Sequence, residues 1–142
     1  MKTIKLLTFF LLTILISCNL NFYGDIDLGA DFYYMVEPAF NSIVTPVDKK
    51  KPYNASTFII REVETIGVNN DKILVTSIVN DTLKYWVIDK TKESKELGYD
   101  KKSNLRLSNV TQIDSIGYAK IQKEENIIMK TKSDYRKKSH YE

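Results

Sequence analysis

The sequence predicts an α+β fold, mostly antiparallel β-sheet laid out as a meander, with one short helix packed on it. Three observations predict it. Residues 56–90 hold three stretches rich in β-branched and aromatic side chains, STFIIREVETIGV (56–68), KILVTSIV (72–79) and LKYWVIDK (83–90). The breaks between them, NND (69–71) and NDT (80–82), supply Asn and Asp, which tolerate the left-handed backbone of tight hairpins. Near residue 108 the apolar spacing changes: Val110, Ile113 and Ile116 fall at i, i+3 and i+6, a helical period.

Taken in order, NLNFYGDIDLGA (19–30) reads as a leader into a single domain spanning 31–131. DFYYMVE (31–37) is aromatic and β-prone, and NSIVTPV (41–47) is its expected partner across Pro38-Ala39-Phe40. DKKKPYN (48–54) is a charged loop. In the third long stretch Leu83, Tyr85 and Val87 face one way and Lys84, Trp86 and Ile88 the other, because side chains alternate along a strand. Residues 90–104 carry too much charge for a core and are expected as an exposed loop. The helix is expected over 108–117, with Ser108 at its N-cap and Gly117 just past its end. Residues 118–131 read either as a last hairpin turning at Glu124-Glu125-Asn126 or as a second helix. KSDYRKKSHYE (132–142) lacks an apolar pattern and is expected to be a disordered basic tail.

Composition narrows the function classes. A chain of 142 residues builds one domain around one core. Its formal charge of +3 is too small and too scattered for a nucleic-acid face, so no nucleic-acid partner is expected. The one cysteine, Cys18, has no partner for a disulfide. The one histidine, His140, falls in the expected tail, where it cannot be held against a substrate as a general base. Cys-His catalysis and His-Cys zinc ligation therefore lack their residues, no glycine-rich phosphate loop occurs, and neither a cofactor nor a metal is expected. DIDLGAD (25–31) invites a calcium reading, but counting from Asp25 places Gly29 at position 5 and Val36 at position 12 of an EF-hand loop, where oxygen ligands are required. Trp86, flanked by Tyr85, is the candidate binding surface; packing within the sheet is the preferred reading of Trp86 itself.

The amino terminus carries the most specific signal. Met1 to Lys5 is short and basic, Leu6 to Ile16 is apolar but for Thr8 and Thr13, and Ser17 is small. That is the pattern of a secretory signal peptide, and the apolar run is shorter than the roughly 20 residues needed to span a bilayer. Leu15-Ile16-Ser17-Cys18 resembles the lipobox of bacterial lipoproteins. The resemblance implies cleavage of residues 1–17 before Cys18, diacylglyceryl on its sulfur, and acylation (typically palmitate) of the new amino terminus. Segment 18–30 becomes anchor and leader, and 125 of the 142 residues remain. Losing Lys2 and Lys5 takes the formal charge from +3 to +1. Asn19 after the cysteine favours the outer over the inner membrane in a Gram-negative cell.

Residues 24–90 are also similar to a family of small bacterial lipoproteins of unknown function. Gly24-Asp25-Ile26-Asp27-Leu28-Gly29 followed by Phe32-Tyr33-Tyr34 resembles its "acidic-Leu-Gly, then Tyr-Tyr" opening, and Tyr85-Trp86-Val87-Ile88-Asp89-Lys90 its "Tyr-Trp-Ile-Ile-Asp-Lys" strand, with Val87 in place of Ile. The resemblance implies fold and location and transfers no catalytic residue. The expected function is a membrane-anchored envelope lipoprotein that acts as a binding module toward an envelope protein or ligand. The alternatives are a small hydrolase using carboxylates and a purely structural lipoprotein. Lys130, Lys132, Arg136, Lys137 and Lys138 could touch anionic headgroups, although a solvated terminus is the simpler reading.

Overall fold

Alternation along the first apolar stretches pairs them as expected. In the computed structural model, which describes residues 26–37, 40–51 and 55–139, β1 (Ile26–Gly29), β2 (Phe32–Glu37), β3 (Phe40–Pro46) and β4 (Ser56–Ile60) form one antiparallel sheet in chain order. The signal segment, Cys18, the leader as far as Asp25, Pro38-Ala39 and His140 lie outside the described residues. The β1–β2 hairpin turns through Gly29 at φ +86°, whose amide donates to Asp27 Oδ1 at 2.8 Å. Glycine suits the left-handed backbone there, and a Cβ would stand 3.2 Å from Lys90 Nζ, a contact the flexible lysine can yield to.

The stretch 56–68, expected as one strand, is two. The chain breaks at Arg61-Glu62, with Glu62 at φ 55°, and β5 (Val63–Val68) belongs to a second sheet. There β5 pairs with β6 (Lys72–Val79) and β6 with β7 (Thr82–Asp89), the expected meander. The segment after β7 is exposed as expected, yet it forms a small hairpin of β8 (Glu96–Tyr99) and β9 (Leu105–Leu107). Then β10 (Val110–Ile113) adds to β7 and β11 (Met129–Thr131) to β5, giving the order β10-β7-β6-β5-β11.

Between the two sheets lies the main core. Phe32, Tyr34, Ile43 and Ile60 of the first sheet meet Val63, Ile66, Ile73 and Ile88 of the second, with Leu105 and Leu107 closing one side. The outer face of the second sheet buries a smaller core, Leu74, Val87, Tyr118 and Ile127, under helix α1 (Ser115–Glu124). Ile73 to Ser77 of β6 are therefore buried on both faces. Gly67 fits this outer layer for want of a side chain, since a Cβ would come within 2.4 Å of Ile127 Cγ2 and 3.0 Å of the Ile128 carbonyl.

The helix expected at 108–117 is displaced. Residues 110–113 are an edge strand, and Val110 packs on the main core while Ile113 packs on the outer one. Residues three apart in a strand point to opposite faces, so a strand between two cores mimics a helical period. Asp114, not Ser108, caps α1, its Oδ1 accepting from the amide of Gly117 at 2.7 Å; Gly117 lies in the first turn rather than past the end. Asn126, at φ 51°, ends the helix: its amide donates to Lys123 O and that of Ile127 to Gln122 O, the two bonds of a Schellman motif. Of the two readings of 118–131, the helix holds as far as Glu124 and the hairpin does not form. Glu125 then clamps the helix end to the β5–β6 turn, pairing with Lys72 Nζ at 2.7 Å and accepting from Asn69 Nδ2 at 2.9 Å.

Residues 132–139, expected as disordered tail, are helix α2 (Lys132–Ser139). Asp134 reaches back from the first turn to Thr131, its Oδ2 accepting from the Thr131 amide at 2.8 Å and from its hydroxyl at 2.9 Å. Tyr135 is buried in the main core, edge-on to Tyr34 with ring centroids 5.3 Å apart. One aromatic anchor and one cap hold a helix whose composition is otherwise polar. Replacing Tyr135 with Ala is expected to lower the unfolding free energy by about 3 kcal/mol or more, as emptying an aromatic core site does. Urea denaturation measures it, and a loss below about 1 kcal/mol would mean that the helix is not integral to the core.

Candidate functional site

Where β4 crosses into β5, the two sheets part and leave a cleft of about 340 Å³, toward the small end of the ~300–1,000 Å³ range of ligand sites. Ile59, Ile60, Val79 and Trp86 supply its apolar lining. Arg61 and Glu62 of the crossing form one wall, and the loop from Asp100 to Asn104 forms another. Lys84 and Gln112 complete the rim from the second sheet, Gln112 standing directly opposite Trp86 in the β10–β7 register.

Trp86 is half-buried and does three things. Its ring packs against the main core, and its indole N–H donates to Ser77 Oγ at 2.9 Å, while its remaining surface lines the cleft. Tyr85 points to the other face of the sheet, its ring 5.1 Å from that of Tyr118 under α1. The two residues singled out in the sequence thus share no surface, and Trp86 alone of the pair reaches the cleft.

The loop wall is built on Asp100. Its Oδ1 accepts from the amides of Lys102 at 2.8 Å and Asn104 at 2.9 Å, and its Oδ2 from Asn104 Nδ2 at 2.9 Å. Partial burial pulls its pKa upward, but the hydrogen bonds from Asn104 and Lys102 and the positive charge of Arg61 outweigh it, holding the carboxyl below the ordinary 3.8. Arg61 is itself fixed, Nε donating to Asn104 Oδ1 at 2.8 Å and the guanidinium lying 4.0 Å over the Phe58 ring. By contrast Lys84, Lys101, Lys102 and Glu62 make no ion pair among the described residues.

The turn after β1, the β5–β6 turn and the end of β7 meet at the opposite end of the strands. Lys90 Nζ donates to the Leu28 carbonyl at 3.0 Å, and the Lys90 amide donates to the Asp71 carbonyl at 2.7 Å. Burial lowers the Lys90 pKa, against the pull of Asp71 and Asp27. Leu-Gly, Asn-Asn-Asp and Asp-Lys therefore lock together as a structural knot that joins the sheets. In the DIDLGAD segment Asp27 is spent on Gly29 and Asp31 pairs with Lys49 at 3.0 Å. Among the described residues no three of His, Cys, Asp and Glu are grouped to hold a metal, and no helix is long and apolar enough to cross a membrane.

No family model, curated protein or solved structure matches the chain. The site rests on its own geometry. Of its residues only Trp86 stood out in the sequence; Ser77, Arg61, Asp100 and Gln112 come from four separate segments and carry no shared pattern.

Replacing Asp100 with Ala is expected to speed hydrogen exchange at the amides of Lys102 and Asn104 by about tenfold, while Ile73 to Val75 stay unchanged. Because the carboxyl is held below 3.8, the ordering it provides is complete above that pH and is lost as the pH falls through the depressed value. The wild-type loop should therefore approach the variant's behaviour only in strong acid, once intrinsic rates are corrected. Equal exchange in both proteins at neutral pH would contradict this role.

Proposed function

We propose that this chain is a lipoprotein of the bacterial cell envelope, tethered through acylated Cys18, that works as a binding module with the Trp86 cleft as its ligand site. The observation that carries the reading is the cleft itself. A half-buried tryptophan floors it, and Lys84, Lys101, Lys102 and Glu62 on its rim make no ion pair among the described residues. The sequence Leu15-Ile16-Ser17-Cys18 supports the anchor, and eight residues from Cys18 to Asp25 would bridge from membrane to β1. Two acyl chains or more hold such a domain stably, whereas one does not.

Acid–base hydrolysis at this site has less support. A general acid near neutral pH is a carboxyl whose pKa is raised, and Asp100 is drawn the other way by the amides it holds.

Expression of the full chain beside Cys18→Ala tests the proposal. The wild type is expected to partition into detergent and to yield an amino-terminal peptide bearing the diacylglyceryl mass, and the variant to remain an unprocessed precursor. Mild crosslinking in cells should recover a near-stoichiometric companion with the lipidated form only. An unmodified Cys18 in the mature protein would sink the anchor, and identical clean preparations from both forms would sink a protein partner.

A further inference from the structure

We infer that the Trp86 cleft takes a small anionic amphiphile: a carboxylate or phosphate head held near Lys84, with a planar or short apolar body laid on Trp86, Ile60 and Val79. The inference rests on the reading of this cleft as the ligand site and is independent of the anchor at Cys18.

Three observations point to it. Among the described residues, none of the charged groups lining the cleft is taken up in an ion pair: Lys84, Lys101, Lys102 and Arg61 are positive, and Glu62 and Asp100 negative. Asp100 is hydrogen-bonded to neutral groups of its own loop and Arg61 to Asn104 beside the Phe58 ring, so both keep their charges, and four cations against two carboxylates leave the lining positive. Ser77, 0% exposed and directly across from Lys84, accepts the indole N–H, and no acceptor for its own hydroxyl proton stands among the described residues. A buried hydroxyl facing a cleft with an unplaced proton is a donor awaiting an oxygen. The lining completes the picture. Indole and aliphatic surface favour a flat or aliphatic body, and about 340 Å³ suits a small ligand, near the lower end of the ~300–1,000 Å³ range of ligand sites. A Lys ammonium is a compact point charge that suits either acid head.

Trp86 is the only tryptophan in the chain, so its fluorescence reports on this cleft alone. The full-length protein, reconstituted in vesicles of zwitterionic phosphatidylcholine, would be titrated with 4-phenylbutyrate, with phenyl phosphate, and with neutral 4-phenylbutanol. A saturable change in Trp86 emission is expected with at least one acid, and the stronger response identifies the head as carboxylate or phosphate. Affinity should fall about tenfold for the alcohol and about tenfold for the better acid in Lys84→Gln, the size of one lost charge-assisted contact. Lys49→Gln, in the loop between β3 and β4 and not part of the cleft lining, should bind as wild type. The unliganded emission maximum verifies that each variant is folded, and the Lys101→Gln, Lys102→Gln double variant on the exposed loop gives a second reading, with a loss of a few-fold expected. If alcohol and acids bind equally, or Lys84→Gln binds as wild type, the anionic assignment is overturned while the cleft stands as a ligand site. If no probe produces a saturable change, both the assignment and the cleft fall.

Discussion

Two residues, Arg61 and Glu62, determine how the rest of the chain is arranged. Run straight, residues 56–68 would make a strand roughly 40 Å long, and its apolar residues could line only one sheet. Instead Glu62 takes a left-handed conformation at φ 55°, which costs a non-glycine residue about 1–2 kcal/mol. The crossing is held by the Ile78 amide, which donates to the Glu62 carbonyl at 2.9 Å. Irregular register on either side, between Ile43 and Val44 and between Val63 and Thr65, supplies the bend. Asn41 then ties the sheets, accepting from the Tyr34 hydroxyl and donating its amide to the Val63 carbonyl. The turned chain brings Ile60 and Val63 into the same core from different sheets.

From that crossing follow the layers and the cleft. The second sheet, once folded over the first, has one face in the main core and one left for α1. The helix is fastened at both ends by local chemistry, Asp114 at its start and the Asn126 termination with the Lys72–Glu125 pair at its finish. Hydrogen bonds from Lys72 and Asn69 hold the Glu125 carboxyl below its ordinary value, and the same pair raises that of Lys72. At the other end of β6 the sheets diverge around the crossing, and the opening is bounded by Ser77, Trp86 and the Asp100 loop. The strained turn and the cleft are thus one feature of the fold.

The sequence was readable where one physical signal acted alone. Aromatic and β-branched runs placed β2, β3, β6 and β7, with Asn-Asp breaks on either side of β6, because each strand pairs with its neighbour in the chain. It misled where two cores overlapped. Val110 and Ile113 serve opposite faces of an edge strand, and their spacing copied a helix. A turn was expected at Glu124-Glu125-Asn126, and Asn126 is left-handed there, but it ends a helix rather than reversing a hairpin. The tail looked disordered because a single Tyr135 does the packing; the Thr131-Ser-Asp134 region still carried a legible cap, Thr followed three residues later by an acid. The break at Glu62 had no glycine to announce it. The cleft was hidden for a different reason, since its residues come together only when segments around 60, 77, 86, 100 and 112 are brought into contact.

The fold and the cleft therefore share one test, the backbone conformation at residue 62. Urea denaturation of Glu62→Gly and Glu62→Val, each in the full chain, measures it. Glycine enters the left-handed region freely and a β-branched residue enters it at greatest cost. The glycine variant should be at least as stable as wild type, and the valine variant less stable by about 1–2 kcal/mol. A valine variant as stable as wild type, or a glycine variant less stable than the valine one, would contradict a left-handed crossing as the feature that sets the two sheets face to face.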